Sequence, residues 1–399
     1  MLTEQQMDKY CDVLLWALRT ARKEKYRKGN IILVRYDLAA IRMTEVLQAK
    51  LLGIGMNPVL RQGVTPRMER DFFRKAKSGQ LVFQPPGEEK LYEHLNGSIY
   101  LNAPEALTHL ADVDPRKMGK VAIARKPLRD ILDRREAKGE FAWTLCMFPT
   151  RELADHSGLS IRRYTSQVVK ACYLDEDDPV SKWTSLFEIA VEIKKWLNSM
   201  SMKTLHIESE NSDFRVSPGA KRRWIGLTGH NIPSFEIFLS PDWRGTEGMF
   251  YADQPSFRNG NYVEGVRLLF RRGSVAKVEA KTGGDFARRY IASDRGAGRV
   301  GEFSLTDKRF SRIDRFMANT LYDENYGGAF GNCHLALGAS YTDTYWGDPS
   351  RLTKKMKESL GFNDSAIHWD LVNTGKKRVT AHHADGGKTV IYEDGLFRY

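Results

Sequence analysis

The 399 residues, 41% apolar and 28% charged, have the composition of a soluble globular chain of about two domains, which excludes the disordered and fibrous classes. The net charge of +12 invites a nucleic-acid reading, yet residues 1–200 carry 33 basic and 26 acidic side chains and residues 201–399 carry 29 and 24, with no basic block interleaved with aromatics as a single-strand groove requires. No apolar run approaches the ~20 residues of a membrane span, so neither nucleic acid nor membrane is an expected partner.

Cys11, Cys146, Cys172 and Cys333 form no C-x-x-C pair, which speaks against a thiolate zinc site and a disulfide framework. The start lacks the charged-then-apolar layout of a signal peptide. A cytoplasmic address is expected.

Residues 1–28 read as a helix with Tyr10, Leu14, Leu18 and Ala21 on one stripe, stopped by Gly29. NIILVRY (30–36) is a short buried strand, 38–52 a helix and NPVLR (57–61) a second strand. Further strands are expected at QLVFQ (80–84) and GSIYLN (97–102), with helical segments between them. The alternation predicts an α/β domain over residues 1–190 on a largely parallel sheet. No P-loop or Gly-rich turn follows the first strand, so a nucleotide site is not expected there. DEDDP (175–179) lacks EF-hand spacing and is expected to cap a helix from Val180 to Met200.

From Lys203 the texture changes to short alternating strands, TLHIES, KRRWIGL and FEIFLSP, ending in a tail with two Asp-Gly turns. Residues 191–399 are therefore expected to form an α+β, β-rich domain. Within it, SAIHWDLV (365–372) places His368 and Asp370 on one strand face with Trp369 behind them. Joined by His334 from the preceding block, they form a typical N/O ligand set for a divalent metal. Glu236 lies in an apolar strand, where an unpaired carboxylate is expensive to bury. Glu302 follows GAGRVG (296–301), which lacks the strand-before and helix-after context of a dinucleotide fingerprint and instead reads as tight backbone presenting that carboxylate. Glu247 between glycines is expected in a solvated loop. His206, Glu208 and Glu210 are expected to be structural or solvated, and His382 and His383 to lie on the surface.

The blocks GHNIPSFEIFLSP, PSFRNGNYVEGVRLLFRRG with SDRGAGRVGEFSL, DENYGGAFGNCHLALGASY and SAIHWDL resemble, in order, those of the thermophilic metalloaminopeptidases of family M29. The N-terminal half is similar through KGNIILVRYDLAAIRMTEVLQAKLLGIGMNPVL and the stretch from FPTREL to DEDDP. The resemblance implies a cytosolic, dimeric metalloaminopeptidase acting on peptides with a free N-terminus. Its domain 1–190 would shield the site, and domain 191–399 would be catalytic. Position by position, the family's metal ligands fall on Glu236, Glu302, His334, His368 and Asp370, and its active-site tyrosine on Tyr341. Two divalent ions are implied, zinc or cobalt first and magnesium or manganese as alternatives, with a bridging water and Glu302 as the bridging carboxylate.

Three departures accompany the likeness. Ser234-Phe235 stands where an Asp-Gly pair is usual, the loop before His334 is longer than usual, and Cys333 adjoins a ligand position. Two other readings stay open, a mononuclear-iron dihydroxypyridine-type ring-cleaving dioxygenase on the same scaffold and a binding protein that kept the fold. The presence of both Glu236 and Glu302 favours the hydrolase.

Overall fold

The N-terminal apolar stripe forms α1 (Glu4–Ala21), which starts at Thr3. The Thr3 hydroxyl accepts the Gln6 N–H at 3.2 Å while the Gln6 side chain accepts the Thr3 N–H at 3.0 Å. The helix stops at Ala21, well before the expected Lys28. Arg22 is extended, and six of the ten side chains from Arg19 to Lys28 are basic, so a continued helix would stack like charges three and four residues apart.

The computed structural model describes residues 1–399 as two units, Met1–Lys182 with Thr228–Ile232 and Trp183–Leu227 with Pro233–Tyr399. After α1 come β1 (Ile31–Tyr36), α2 (Ile41–Gly53), β2 (Asn57–Gln62), α3 (Pro66–Lys75), α4 (Ser78–Leu81), α5 (Glu88–Tyr92) and β3 (Gly97–Asn102). Next are α6 (Pro115–Ala137), β4 (Ala142–Met147), α7 (Arg151–His156), α8 (Ile161–Ala171) and α9 (Pro179–Asn198). Then follow β5 (Met202–Ser209), β6 (Ser212–Ser217), β7 (Ile225–Gly226), β8 (Asn231–Ile232), β9 (Glu236–Leu239) and β10 (Asp242–Ala252). The hairpin β11 (Ser256–Arg258) and β12 (Asn261–Val263) precedes β13 (Val266–Arg271), β14 (Ser274–Glu279), α10 (Gly284–Ile291) and β15 (Val300–Thr306). The chain closes with α11 (Thr320–Asp323), β16 (Asn332–Gly338), α12 (Lys354–Ser359), β17 (His368–Asn373), β18 (Lys377–His383), β19 (Lys388–Glu393) and β20 (Leu396–Phe397).

The first unit is α/β, with a sheet ordered β2-β1-β3-β4-β8 and every neighbouring pair parallel. The segment 80–84 is not a strand. Gln80 accepts the Lys77 N–H at 2.9 Å and closes the short turn of α4, and Pro85 and Pro86 beyond it offer no N–H to a ladder. Val82 and Phe83 are left exposed. Asp178 caps α9 through the Ser181 N–H at 3.0 Å, as its position in DEDDP implies.

The second unit is β-rich and antiparallel, with an eight-stranded sheet β14-β13-β10-β6-β5-β18-β19-β20 and a five-stranded sheet β17-β16-β15-β9-β7. Glu247 lies within β10, not in a loop, and accepts the Arg272 N–H at 2.5 Å. His382 and His383 belong to β18. In KRRWIGL only Ile225–Gly226 pairs as a strand, because Lys221 and Leu227 have φ of 55° and 47° and break the extended run.

Every residue of β15 and β16 is buried. Opposite β16, β15 carries a register shift between Val300 and Glu302, and the residue within that shift is Gly301. A Cβ there would sit 2.3 Å from the Ala339 carbonyl oxygen, closer than packed atoms tolerate. Gly301→Ala should therefore lower stability by about 1–3 kcal/mol, read from a denaturant midpoint. An unchanged midpoint would mean that this close approach is not enforced.

Candidate metal centre

One face of the five-stranded sheet gathers the titratable side chains. Cross-strand partners share a face, and the register pairs Glu302 with Ala336 and Ala336 with Asp370, Ser304 with His334, Thr306 with Glu236, and Gly338 with His368. Glu236, Glu302, His334, His368 and Asp370 therefore converge from β9, β15, β16 and β17. His334 Nε2 lies 3.2 Å from Glu302 Oε1 and 3.3 Å from Glu236 Oε2. His368 Nε2 lies 3.2 Å from Asp370 Oδ1 and 3.4 Å from Glu302 Oε2. The two oxygens of Glu302 thus face different imidazoles.

Both imidazoles are turned by their other nitrogen. His334 Nδ1 is 3.3 Å from the Glu324 carbonyl oxygen and His368 Nδ1 is 2.9 Å from that of Ala339. A carbonyl only accepts, so Nδ1 carries the proton and Nε2 is directed at the carboxylates.

Three overlapping groups have donor atoms within 4.8 Å of one another: Glu236, Glu302 and His334; Glu302, His368 and Asp370; and Glu324, His334 and Asp370. Glu324 is not among the ligands expected from the sequence. It stands in the quoted DENYGG block, but it ends α11 and so carries no period-two signal. Its neighbours explain its placement. Asp323 accepts the N–H groups of Met317 and Asn319 at 2.7 and 2.9 Å, and fully buried Asn325 accepts the Phe235 N–H at 2.5 Å. That last bond ties the Glu324 segment to the residue preceding Glu236.

Three buried carboxylates and the partly buried Asp370 leave a strong imprint on protonation. Burial, then Glu302, pushes Glu236 up to about 8. Burial, then Glu236, Asp370 and Glu302, drives Glu324 well above the usual carboxylate range. Burial alone would lower the imidazoles, but Glu302 and Glu236 raise His334 to about 9, and Asp370 and Glu302 raise His368 well above its ordinary value. Against their own burial, Glu302 is held low by bonds from His334 and His368, and Asp370 by His368 and then His334. A buried, acid-rich N/O donor set that fills itself with protons has the charge and the chemistry to take divalent cations.

The remaining candidates fall around this face or away from it. Ser234 Oγ donates to Glu236 Oε1 at 3.4 Å, and Phe235 stacks on Trp183 at 5.2 Å. Tyr341 is 45% exposed, with its ring 4.8 Å from that of His368 and 5.8 Å from that of Phe238. Trp369 faces away, packing on Tyr290 and Phe286. Cys333 points to the opposite side of β16, where Lys377 and Asp253 are its charged neighbours, and is no member of the donor groups. His206 pairs with Asp213 at 2.8 Å, outside the centre.

Asn325→Ala would remove the side-chain oxygen that accepts the Phe235 N–H. The expected loss of stability is about 1–3 kcal/mol, measured by denaturant unfolding, and a loss within experimental error would show that the tie to the Glu324 segment is dispensable.

A family model described as thermophilic metalloprotease (M29) matches residues 3–397. Aminopeptidase PepS of Streptococcus thermophilus is 22% identical over 417 residues, covering 98% of each chain. Aminopeptidase T of Thermus thermophilus is 28% identical over 73% of each chain, and Aminopeptidase 2 of Geobacillus stearothermophilus 27% identical over 78% of each. The structure of wild-type AmpT from Thermus thermophilus matches over 100% of both chains with a TM-score of 0.82 at 21% identity, a likeness of fold. A match from residue 3 to residue 397 makes this chain a member of the thermophilic metalloprotease family M29, and so a hydrolase of peptide bonds.

Proposed function

We propose that the chain is an aminopeptidase that holds two divalent ions on the face formed by Glu236, Glu302, Glu324, His334, His368 and Asp370. The observation that carries this reading is Glu302, whose two carboxylate oxygens face two imidazoles belonging to two different donor groups. A carboxylate so placed suits a bridge between ions. Four carboxylates offer −4 against the +4 of two divalent ions, so the set is balanced once Glu324 is counted. Zinc or cobalt is favoured over magnesium or manganese because two imidazoles take part and affinity at such sites follows the Irving–Williams order. When bound, the ions would supply Lewis-acid polarisation of the peptide carbonyl and a lowered pKa for a coordinated water.

The chain's own groups do the rest. The cationic N-terminus is the feature every unblocked peptide shares, and a face rich in carboxylates complements it. Glu324, driven toward its protonated form in the ion-free protein by burial and its neighbours, would give up that proton on joining the donors that balance the ions. The Tyr341 phenol is half-exposed, and the nearby carboxylates favour its neutral form, so it is a donor that can stabilise developing charge on the carbonyl oxygen. The four cysteines are free, which fits a reducing compartment such as the cytoplasm.

Elemental analysis should give two divalent ions per chain, and leucine amide should be cleaved while its N-acetyl form is not. One iron per chain with oxygen uptake on a dihydroxypyridine, or equal cleavage of both amides, would overturn the reading. Asp370→Asn should lose metal together with activity. Tyr341→Phe should keep its metal and lose turnover by roughly 10²-fold or more; near-normal turnover would remove the phenol from the reaction.

Metal affinity should also depend on pH with a definite sign. In the ion-free protein both imidazoles hold protons that a metal must displace, so binding should tighten from about pH 6 to pH 8 with net proton release. Calorimetry in buffers of different ionisation enthalpy reads this directly. Affinity independent of pH would contradict the assignment of His334 and His368 as ligands.

A further inference from the structure

The even division of charge between the two halves conceals a local concentration. Residues 19–28 carry Arg19, Arg22, Lys23, Lys25, Arg27 and Lys28 against one acid, Glu24. Five of those six cations line a cleft of ≈ 390 Å³ in the first unit, with Ile54 and Met56 among its apolar lining. Only Arg22 has an acidic partner there, Glu24 at 3.8 Å. Among the described residues, Arg19, Lys23, Lys25 and Lys28 make no ion pair. Cations nearby on the same unit behave differently: Arg42 bonds Glu4 and Glu45, Lys50 bonds Asp8 and Asp12, and Arg70 bonds Asp112.

A helix C-terminus attracts cations, but that effect fades within the last turn and accounts for Arg19 alone; Lys23, Lys25 and Lys28 lie beyond α1. The wall they stand on is built rather than loose. Arg22 is only 9% exposed, donates to Gly139 O and Asn30 Oδ1 at 3.4 and 3.1 Å, and covers the Tyr26 ring at 4.3 Å. The Tyr26 hydroxyl donates to Asn96 O at 3.2 Å, and the Gly29 N–H to Gly55 O at 2.7 Å. Unpaired like charges around a concavity with low-dielectric walls focus a positive potential into it.

We propose that this cleft binds the linked phosphates of a di- or triphosphate. Its volume is at the small end of the ~300–1,000 Å³ typical of small-ligand sites. With five cations and one carboxylate on its lining, the cleft matches the roughly four negative charges of a triphosphate, given close to two on a terminal phosphate. A nucleic-acid strand fits less well, because Arg22 and Asn96 occupy the face and hydroxyl of Tyr26, leaving no stacking platform for bases. The source of the phosphates, inorganic or nucleotide, is a matter for experiment.

The test uses the full-length, metal-loaded enzyme and its Lys23→Ala/Lys25→Ala/Lys28→Ala variant, whose three side chains are exposed and whose unfolding midpoint should be unchanged. Equilibrium dialysis with inorganic tripolyphosphate and with ATP should show binding in about 50 mM salt that weakens by 200 mM, and that falls more than about tenfold in the variant. Equal affinities support a site reading the phosphate chain alone; tighter ATP supports added nucleoside contact with Ile54 and Met56. No binding of either probe overturns the proposal. So does binding that is undiminished in the variant, which would assign the anion to the metals. Tighter, variant-sensitive binding of a single-stranded oligonucleotide would replace the proposal with a nucleic-acid interface.

Discussion

Mutual repulsion among Glu236, Glu302, Glu324 and Asp370 is the constraint on which the second unit depends. Two unit charges 4 Å apart repel by about 4 kcal/mol even at an effective dielectric of 20, and all four side chains are largely removed from water. Without cations the cluster relieves itself with protons, on both imidazoles and on Glu236 and Glu324. Divalent ions would take over that role, so ion binding and folding stability are one linked equilibrium. A centre of this kind is stored strain that the rest of the sheet must outweigh.

The sheet does so through backbone. β15 and β16 are buried at every position, and their neighbours β9 and β17 complete ladders on either side. Glycines permit the closest approaches: a Cβ at Gly226 would lie 2.0 Å from the Glu236 carbonyl oxygen, and one at Gly338 2.0 Å from that of Ile367. Arg258 donates to the His368 carbonyl oxygen, and its positive charge helps hold Asp370 ionised. Side chains that repel are thus carried on main chain that cannot move apart, which is what preorganisation of a metal site requires.

How much of this could be read in advance follows from which physical signals are periodic. His368 and Asp370 were legible because strand alternation puts residues two apart on one face, and the parallel sheet of the first unit because buried strands alternate with helices. Glu302 was legible because GAGRVG, without the flanking context of a dinucleotide fingerprint, reads as tight backbone, and Gly301 does approach the Ala339 carbonyl oxygen closely. Glu324 was not, since a helix-end residue has no period and its burial depends on Asn325 reaching Phe235, ninety positions away. The strand expected at 80–84 failed for the converse reason: apolar residues were present, but the Lys77–Gln80 turn and two prolines removed the ladder. Glu247 failed because flanking glycines signalled a loop, whereas Gly248, with φ of 104°, serves a close approach to the Asp213 carbonyl oxygen inside β10.

The loop before His334 is held at its stem. Glu324 and His334 are ten positions apart, yet the Asn332 side-chain amide donates to the carbonyl oxygens of both Glu324 and Tyr326, at 3.1 and 2.7 Å. The His334 ring closes on the same Glu324 carbonyl. The departing chain is also held, with Gly327 and Gly328 N–H groups on Ile313 O at 2.8 and 3.0 Å, and the returning chain by the Tyr392 hydroxyl, which donates to Thr306 O at 2.7 Å beside Gly331. Residues between these two clasps can vary in number because closure entropy grows only slowly with loop length, about 0.6 kcal/mol per doubling. Glu324 and His334 are therefore fixed by the stem of the loop, and changes at its tip would leave the positions of these donors intact.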